Sequence, residues 1–196
     1  MFVKMKQEPW LLKKVPELQE TYGREQIYFQ DEMRYGTRTA LKRRWTRQGK
    51  RPKCEMKIGY ESAWLYVAIC PENGDMLASF ISHLDKECFE LFAKQFEEHL
   101  QEKKIEKEVL MIADGSTAHQ QSCLREQVKL LKLPTACPEL NPVERFFEEL
   151  RKSLSNRMFE SIEEVEKCLE FWVEDWKNKT DKIINLTNFK WIKGET

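Results

Sequence analysis

Three acidic residues stand where a predicted strand ends or a predicted helix begins. Asp31 follows the alternating stretch EQIYFQ, Asp114 follows the apolar stretch EVLMIA, and Glu144 follows Asn-Pro-Val at the start of an amphipathic segment. A right-handed crossover can bring the two strands side by side, so both Asp side chains can emerge at one edge of a sheet. Glu144 faces away from the apolar stripe of its helix and can point toward them.

Three carboxylates at one place repel each other unless a cation neutralises them. Carboxylate oxygens favour the hard ions Mg²⁺ or Mn²⁺. Two such ions about 3.5–4 Å apart can activate a water or a 3′-hydroxyl and stabilise the leaving oxygen in phosphoryl transfer. The three residues are therefore candidate metal ligands and candidate catalytic residues for such a reaction.

Each acidic residue also has a purely structural interpretation. An Asp at a strand end is commonly a turn or cap residue. Asn141 can be the N-cap of a helix whose first residue is Pro142, and Glu144 can then complete a capping box with the backbone of Asn141. Taken one at a time, these residues leave both interpretations open.

A strongly basic segment follows Asp31 directly. Residues 34–57, the basic segment, hold ten Lys or Arg and one Glu, a local charge of +9 in a chain whose net charge is zero. Such a segment is either a solvated surface or a surface for a polyanion, and nucleic acid is the obvious polyanion. Trp45 within it can stack on a base or pack against the protein. Its candidate DNA-binding residues are Arg38, Lys42, Arg43, Arg44, Arg47, Lys50 and Arg51.

The periodicity predicts an α/β protein with a mixed sheet. Strands are expected in EQIYFQDE, ESAWLYVAIC, MLASFIS, EVLMIAD and VKLLKLP, with an Asn-Gly turn joining the second to the third. Helices are expected over 86–102 behind an Asp85 cap, over about 118–128, from Pro142, and after a capping box from Ser161 to Glu164.

The composition favours a single globular domain, since 41% of residues are hydrophobic and 34% are charged. We expect a domain over 26–180, preceded by a linker remnant over 1–25 and followed by a tail over 181–196. With no apolar run near 18 residues and no signal-peptide pattern, a cytoplasmic protein is expected rather than a membrane or secreted one. Six scattered cysteines without a C-x-x-C pair predict neither a zinc site nor a disulfide framework.

Four segments together resemble the catalytic domain of the DDE transposases, in the bacterial insertion-sequence branch of the mariner superfamily. They are YFQDEMRYG, RRWTRQGKRP, MIADGSTAH and LPTACPELNPVERFFEELRKSLSNRMFESIEEVE. The resemblance implies a ribonuclease-H-like mixed sheet flanked by helices, and two Mg²⁺ or Mn²⁺ ions at Asp31, Asp114 and Glu144. His119 matches the His of the motif around the second Asp, which makes it either an accessory residue near the metals or DNA phosphates, or a local hydrogen-bonding residue.

The resemblance also implies a reaction and its partners. Such domains cut DNA at transposon ends and join the 3′ ends to target DNA. We expect transposon-end and target DNA as partners, a homodimer, and association with the nucleoid. No helix-turn-helix pattern precedes Asp31, so recognition of the ends is expected from an upstream region or a separate helix-turn-helix polypeptide. Two alternatives are a non-catalytic DNA-binding or assembly module and a nuclease that hydrolyses DNA without joining it.

Overall fold

A five-stranded mixed sheet forms the centre of the protein. The computed structural model describes residues 14–134 and 137–193. The strand order is β3-β2-β1-β4-β5, in which β1, β2 and β3 are antiparallel neighbours while β4 and β5 run parallel to β1. The strands are β1 (Ile27–Gly36), β2 (Ser62–Ile69), β3 (Met76–Ile81), β4 (Val109–Ala113) and β5 (Val128–Lys132).

Helices cover both faces of this sheet. The first, α1, includes residues 14–22. The others are α2 (Lys86–Glu102), α3 (Val143–Leu154), α4 (Ile162–Lys177), α5 (Thr180–Thr187) and α6 (Lys190–Lys193). Within the described residues, no helix is long and apolar enough to cross a bilayer.

Successive residues of β1 supply the two cores on opposite faces of the sheet, as strand geometry requires. Phe29 and Met33 belong to the core that α3, α4 and α5 cover. Tyr28 belongs to the core on the other face, where α2 contributes Phe89, Phe92 and Phe96. The position of a residue in β1 therefore decides which helices its side chain meets.

Both segments outside the expected domain, 1–25 and 181–196, contribute described residues to the first core. Val15 in α1 is buried there, and so are Ile183 in α5 and Ile192 in α6. The first 13 residues and the last three lie outside the described residues.

Most predicted elements are confirmed, including the five strands and the helix over 86–102, whose Asp85 side chain accepts a hydrogen bond from the Cys88 backbone. Strand β1 does not end near Asp31 but continues to Gly36, because it pairs with β2 as far as Gly36 opposite Ser62. The capping box predicted from Ser161 to Glu164 does not form. The Ser161 side chain makes no capping hydrogen bond, and the Glu164 carboxylate accepts one from the backbone N–H of Glu160.

The predicted helix over 118–128 is wrong. That stretch contains only a short 3-10 turn, Gln121–Cys123. The Gln121 side chain donates to the Val128 carbonyl and accepts from the Leu130 backbone, which ties the segment to β5. Side chains that bond the backbone in this way compete with helix formation.

Candidate active site

The register of β1 and β4 places Asp31 and Asp114 side by side. The last parallel pair that joins the two strands is Phe29 with Ile112. Asp31 and Asp114 each lie two residues further along, so strand alternation keeps them beside each other and on the same face as that pair. The edge where β4 ends therefore presents two carboxylates.

Glu144 reaches the same place from the first turn of α3. The Asn141 side chain donates a hydrogen bond to the Gln30 carbonyl at 2.8 Å and accepts one from the Val143 backbone at 3.2 Å. Because Asn141 is buried, these bonds tie the start of α3 to β1 immediately before Asp31. The capping-box interpretation of Glu144 is wrong, since α3 begins at Val143 and the Glu144 carboxylate pairs with Arg151 instead.

An open pocket of about 320 Å³ contains all three carboxylates in its wall. Since a water occupies about 30 Å³, the pocket has room for several small ligands at once. Its other lining residues are Gly115, Ser116, Leu133, Pro134, Cys137, Pro138 and Asn141.

Asp31 is the most perturbed acid in this pocket. Burial raises its pKa, the negative charges of Glu32, Glu144 and Asp114 raise it further, and the result is a pKa of about 8. A hydrogen bond from the Glu32 backbone at 3.0 Å opposes this shift only in part. A carboxyl group crowded by like charges in this way is suited to a cation, which would favour its ionised form.

The pKa of Asp114 is shifted in the opposite direction to that of Asp31, because His119 compensates the negative charge of Asp114. Its Oδ1 lies 2.9 Å from Nδ1 of His119 and accepts a hydrogen bond from the Ser116 backbone at 2.9 Å. The bond from His119 is the main reason that the pKa of Asp114 is lowered. Its side chain remains 55% exposed, so the carboxylate can still reach a ligand in the pocket.

His119 is fully buried between two carboxylates. Nε2 of His119 lies 2.8 Å from Oε1 of Glu32, opposite the contact that Nδ1 makes with Asp114. Burial alone would lower the pKa of His119, but the bonds to Asp114 and Glu32 raise it to about 10. At neutral pH the ring therefore carries a positive charge and donates from both nitrogens.

The carboxylates do not yet converge on one point. Among the described residues, no group of three or more His, Cys, Asp or Glu side chains is placed to hold a metal ion as it stands. Nη1 of Arg151 lies 3.1 Å from Oε2 of Glu144, a pairing that holds the Glu144 carboxylate on its own helix. The donor chemistry of Asp31, Asp114 and Glu144 nevertheless fits a hard divalent cation.

The basic segment lies on the surface and begins at the end of β1, the strand that carries Asp31. The connection between β1 and β2, residues 37–61, contains no helix or strand, and all seven candidate DNA-binding residues in it are exposed. Contacts hold this connection near both of its ends. Lys57 pairs with Glu160 at 3.2 Å, and Asn156 forms hydrogen bonds with the backbone of Ala40 and Lys42. Trp45 is fully exposed and does not pack against the described part of the chain.

Comparison with known proteins identifies the family. A family model described as DDE superfamily endonuclease matches residues 26–166. The chain belongs to the DDE superfamily endonucleases. No curated protein sequence matches this endonuclease chain.

Solved structures of Mos1 transposase share the fold of this DDE endonuclease. The Mos1 transposase paired-end complex with left transposon end is 17% identical with a TM-score of 0.66, and the match covers 94% of this chain and 59% of that chain. The catalytic domain of Mos1 mariner transposase is 14% identical with a TM-score of 0.61, covering 95% and 91%. The Mos1 mariner paired end complex with Mn is 15% identical with a TM-score of 0.64, covering 95% and 61%.

The likeness confirms the expected ribonuclease-H-like mixed sheet flanked by helices. This DDE endonuclease chain spans 59% of the Mos1 transposase chain in the first of these structures.

Sequence reasoning missed the contacts that hold these carboxylates in place. Glu32 and His119 lie 87 positions apart, and no local pattern connects them. Glu144 and Arg151 lie seven positions apart on one helix, about two turns, which is the only sequence signal for their ion pair. The bond from Asn141 to the Gln30 carbonyl had no signal in the sequence, because backbone acceptors are the same at every residue.

Proposed function

We propose that this chain is the catalytic domain of a transposase that cuts DNA at transposon ends and joins the 3′ ends to target DNA. The observation that carries the proposal is the pocket at the end of β4 that Asp31, Asp114 and Glu144 all line, in a chain that also has an exposed basic segment. Family membership and the fold shared with Mos1 transposase support it.

The proposed cofactor is Mg²⁺ or Mn²⁺, in two ions held by Asp31, Asp114 and Glu144. Bound there, the ions would activate the attacking hydroxyl and stabilise the leaving oxygen of a phosphodiester. These ligands would come from three elements. The strand register supports the positions of Asp31 and Asp114, and the bond from Asn141 to β1 supports the position of the start of α3, which carries Glu144. The Mos1 structures solved with Mn and with Mg support this choice of ion.

The proposed partner is DNA, bound through its phosphates. The seven candidate Lys and Arg residues of the basic segment are exposed and can contact phosphates, which gives affinity without sequence preference. We propose that recognition of the transposon ends comes from an upstream region or a separate helix-turn-helix polypeptide, and that two copies of the chain act as a homodimer.

The direct test is a reaction with DNA that carries the inverted repeats flanking the gene. We expect Mg²⁺-dependent nicks at the repeat ends and products joined to a second DNA. The Asp114→Asn variant should lose both, while Asp181→Asn, which changes an exposed acid in α5, should keep both. Cleavage without joined products would favour a hydrolytic nuclease, and DNA binding without cleavage would favour a DNA-binding or assembly module.

The preference of the chain for repeat DNA over other DNA needs a separate test, because a cleavage assay does not measure binding affinity. Competition between repeat DNA and scrambled DNA of equal length should show less than about a tenfold difference, which corresponds to 1.4 kcal/mol. A larger preference would mean that this chain reads base edges itself.

A further inference from the structure

We propose that Glu32 and His119 form a buried strut that positions the Asp114 carboxylate for its ligand. The proposal rests on the function proposed above, since it assigns Glu32 a role toward the same metal site. Glu32 is thereby a positioning residue that acts through His119, and not a member of the ligand set.

The strut crosses from one face of the sheet to the pocket on the other. Glu32 stands next to Asp31 in β1, so its side chain lies on the α2 face, where it is only 5% exposed. His119 is fully buried beside Phe89 of α2, with ring centroids 4.6 Å apart. Its two nitrogens then connect Oε1 of Glu32, at 2.8 Å, with Oδ1 of Asp114, at 2.9 Å.

Glu32 is itself held in place. Its Oε1 also accepts a hydrogen bond from Nε2 of Gln30 at 2.7 Å, and Gln30 is fully buried. Three consecutive residues of β1 therefore serve the site in different ways. Asp31 enters the pocket, Glu32 holds the Asp114 side through His119, and the Gln30 carbonyl holds the start of α3 through Asn141.

Asp114 needs such support because it lies beyond the last residue of β4. Two contacts to its side chain fall on Oδ1, namely the ion pair with His119 and the hydrogen bond from the Ser116 backbone. Nδ1 of His119 also lies 3.4 Å from the Asp114 carbonyl oxygen. The position of Oδ1 is therefore fixed from two directions, and Oδ2 is not required for either contact. Partners that orient a metal ligand in this way typically change metal affinity 10–100-fold when they are removed.

Two conservative variants separate the effect of the side-chain length of Glu32 from the effect of its negative charge. Glu32→Gln keeps an acceptor oxygen at the same distance from His119 but removes the negative charge, whereas Glu32→Asp keeps the charge but shortens the side chain by one methylene. If Glu32 positions Asp114, Glu32→Asp should bind Mn²⁺ about tenfold more weakly than the unmodified chain, and Glu32→Gln should stay within about threefold.

The measurement is a calorimetric Mn²⁺ titration of the full chain, with thermal melting of each variant alongside. Asp75→Asn is the control, because Asp75 is another carboxylate bonded to a His. It is partly buried beside Tyr28 and lies 2.7 Å from His99. The control variant should lower the melting temperature and leave Mn²⁺ affinity unchanged. The proposal is overturned if Glu32→Asp has a lower melting temperature than the unmodified chain but the same affinity for Mn²⁺. It is also overturned if Glu32→Gln loses more Mn²⁺ affinity than Glu32→Asp.

Crystal structures of the metal-free variants test the positioning role of Glu32 independently of the proposed metal site. Absence of Mn²⁺ binding by the unmodified chain would contradict the proposed metal site. The strut would still be decided by whether Glu32→Asp loses the 2.9 Å contact between His119 and Asp114 that the unmodified chain has. Retention of that contact in Glu32→Asp would overturn it.

Discussion

Asp31 and Glu32 are neighbours in β1, yet their carboxylates lie on opposite faces of the sheet. Asp31 lines the pocket with Asp114 and Glu144, whereas Glu32 accepts a hydrogen bond from His119. The alternation of a single strand thus gives one acid direct access to a ligand and buries the other behind the site. A shift of one residue in the pairing of β1 would exchange these two roles.

Removal of the Asp31 charge should stabilise the metal-free protein at high pH. Its pKa rises from 3.8 to about 8 on folding, so the folded state holds a proton that the unfolded state has released between these values. Stability therefore falls as pH rises through this range. Asp31→Asn should be more stable than the unmodified chain at pH 9 in EDTA, by at least about 1 kcal/mol, and no more stable at pH 4.

Urea unfolding at the two pH values measures this difference. Asp114→Asn is the matched control, because the pKa of Asp114 is lowered by its bond to His119 and the variant should be destabilised at pH 9. Equal stability of Asp31→Asn and the unmodified chain at pH 9 would show that Asp31 is not crowded by the other carboxylates.

Removal of Arg151 should strengthen metal binding. Arg151 holds the Glu144 carboxylate at 3.1 Å, and we expect this pair to separate when Glu144 binds an ion together with Asp31 and Asp114. The pair is partly exposed and contributes up to about 1 kcal/mol, so Arg151→Ala should bind Mn²⁺ up to about fivefold more tightly. Arg145→Ala removes the neighbouring pair with Glu148 and should leave the affinity unchanged, which a calorimetric titration can check. Weaker binding by Arg151→Ala would indicate that Arg151 orients Glu144 for the ion.

Replacement of Arg43, Arg44 and Arg47 together by Ala should weaken DNA binding equally for all sequences. Each lost phosphate contact lowers the slope of log K against log salt by about one unit, so the slope should fall by about three. The control replaces Lys86, Lys94 and Lys107, which are exposed on or next to α2. An unchanged slope in the Arg variant, measured by fluorescence anisotropy, would show that the basic segment is only a solvated surface.

Asp75 should stabilise the fold without contributing to the site. Burial alone would raise its pKa, but bonds from His99, Tyr28 and Lys103 lower it to about 2. A lowered pKa stabilises the folded state above the ordinary value of 3.8, and this contribution is lost as pH falls through about 2. Asp75→Asn should therefore cost about 2 kcal/mol at pH 7 and progressively less below pH 4, as measured by urea unfolding. A constant difference from pH 7 to pH 3 would mean that the ionised carboxylate is not the source of the stability.

The strands were predictable because apolar runs and alternation report directly on burial in a sheet. The same local patterns identified Asp31, Asp114 and Glu144 as candidates, and the resemblance joined them into one set. The failed helix over 118–128 depended on side-chain bonds of Gln121 to β5 that periodicity does not encode. The contact between Glu32 and His119 likewise joins residues that are far apart in the sequence. Trp45 of the basic segment is exposed, so the interpretation in which it packs against its own sheet is wrong.

A crystal structure of the chain grown with Mn²⁺ tests the central claim most directly. Anomalous scattering would locate the ions, and a crystal of Asp114→Asn grown in the same way would be the control. We expect two peaks about 3.5–4 Å apart between the carboxylates of Asp31, Asp114 and Glu144, with Glu144 released from Arg151, and loss of at least one peak in the variant. A structure in which Mn²⁺ lies elsewhere, or in which Glu144 remains on Arg151 and points away from both Asp residues, would contradict the assignment.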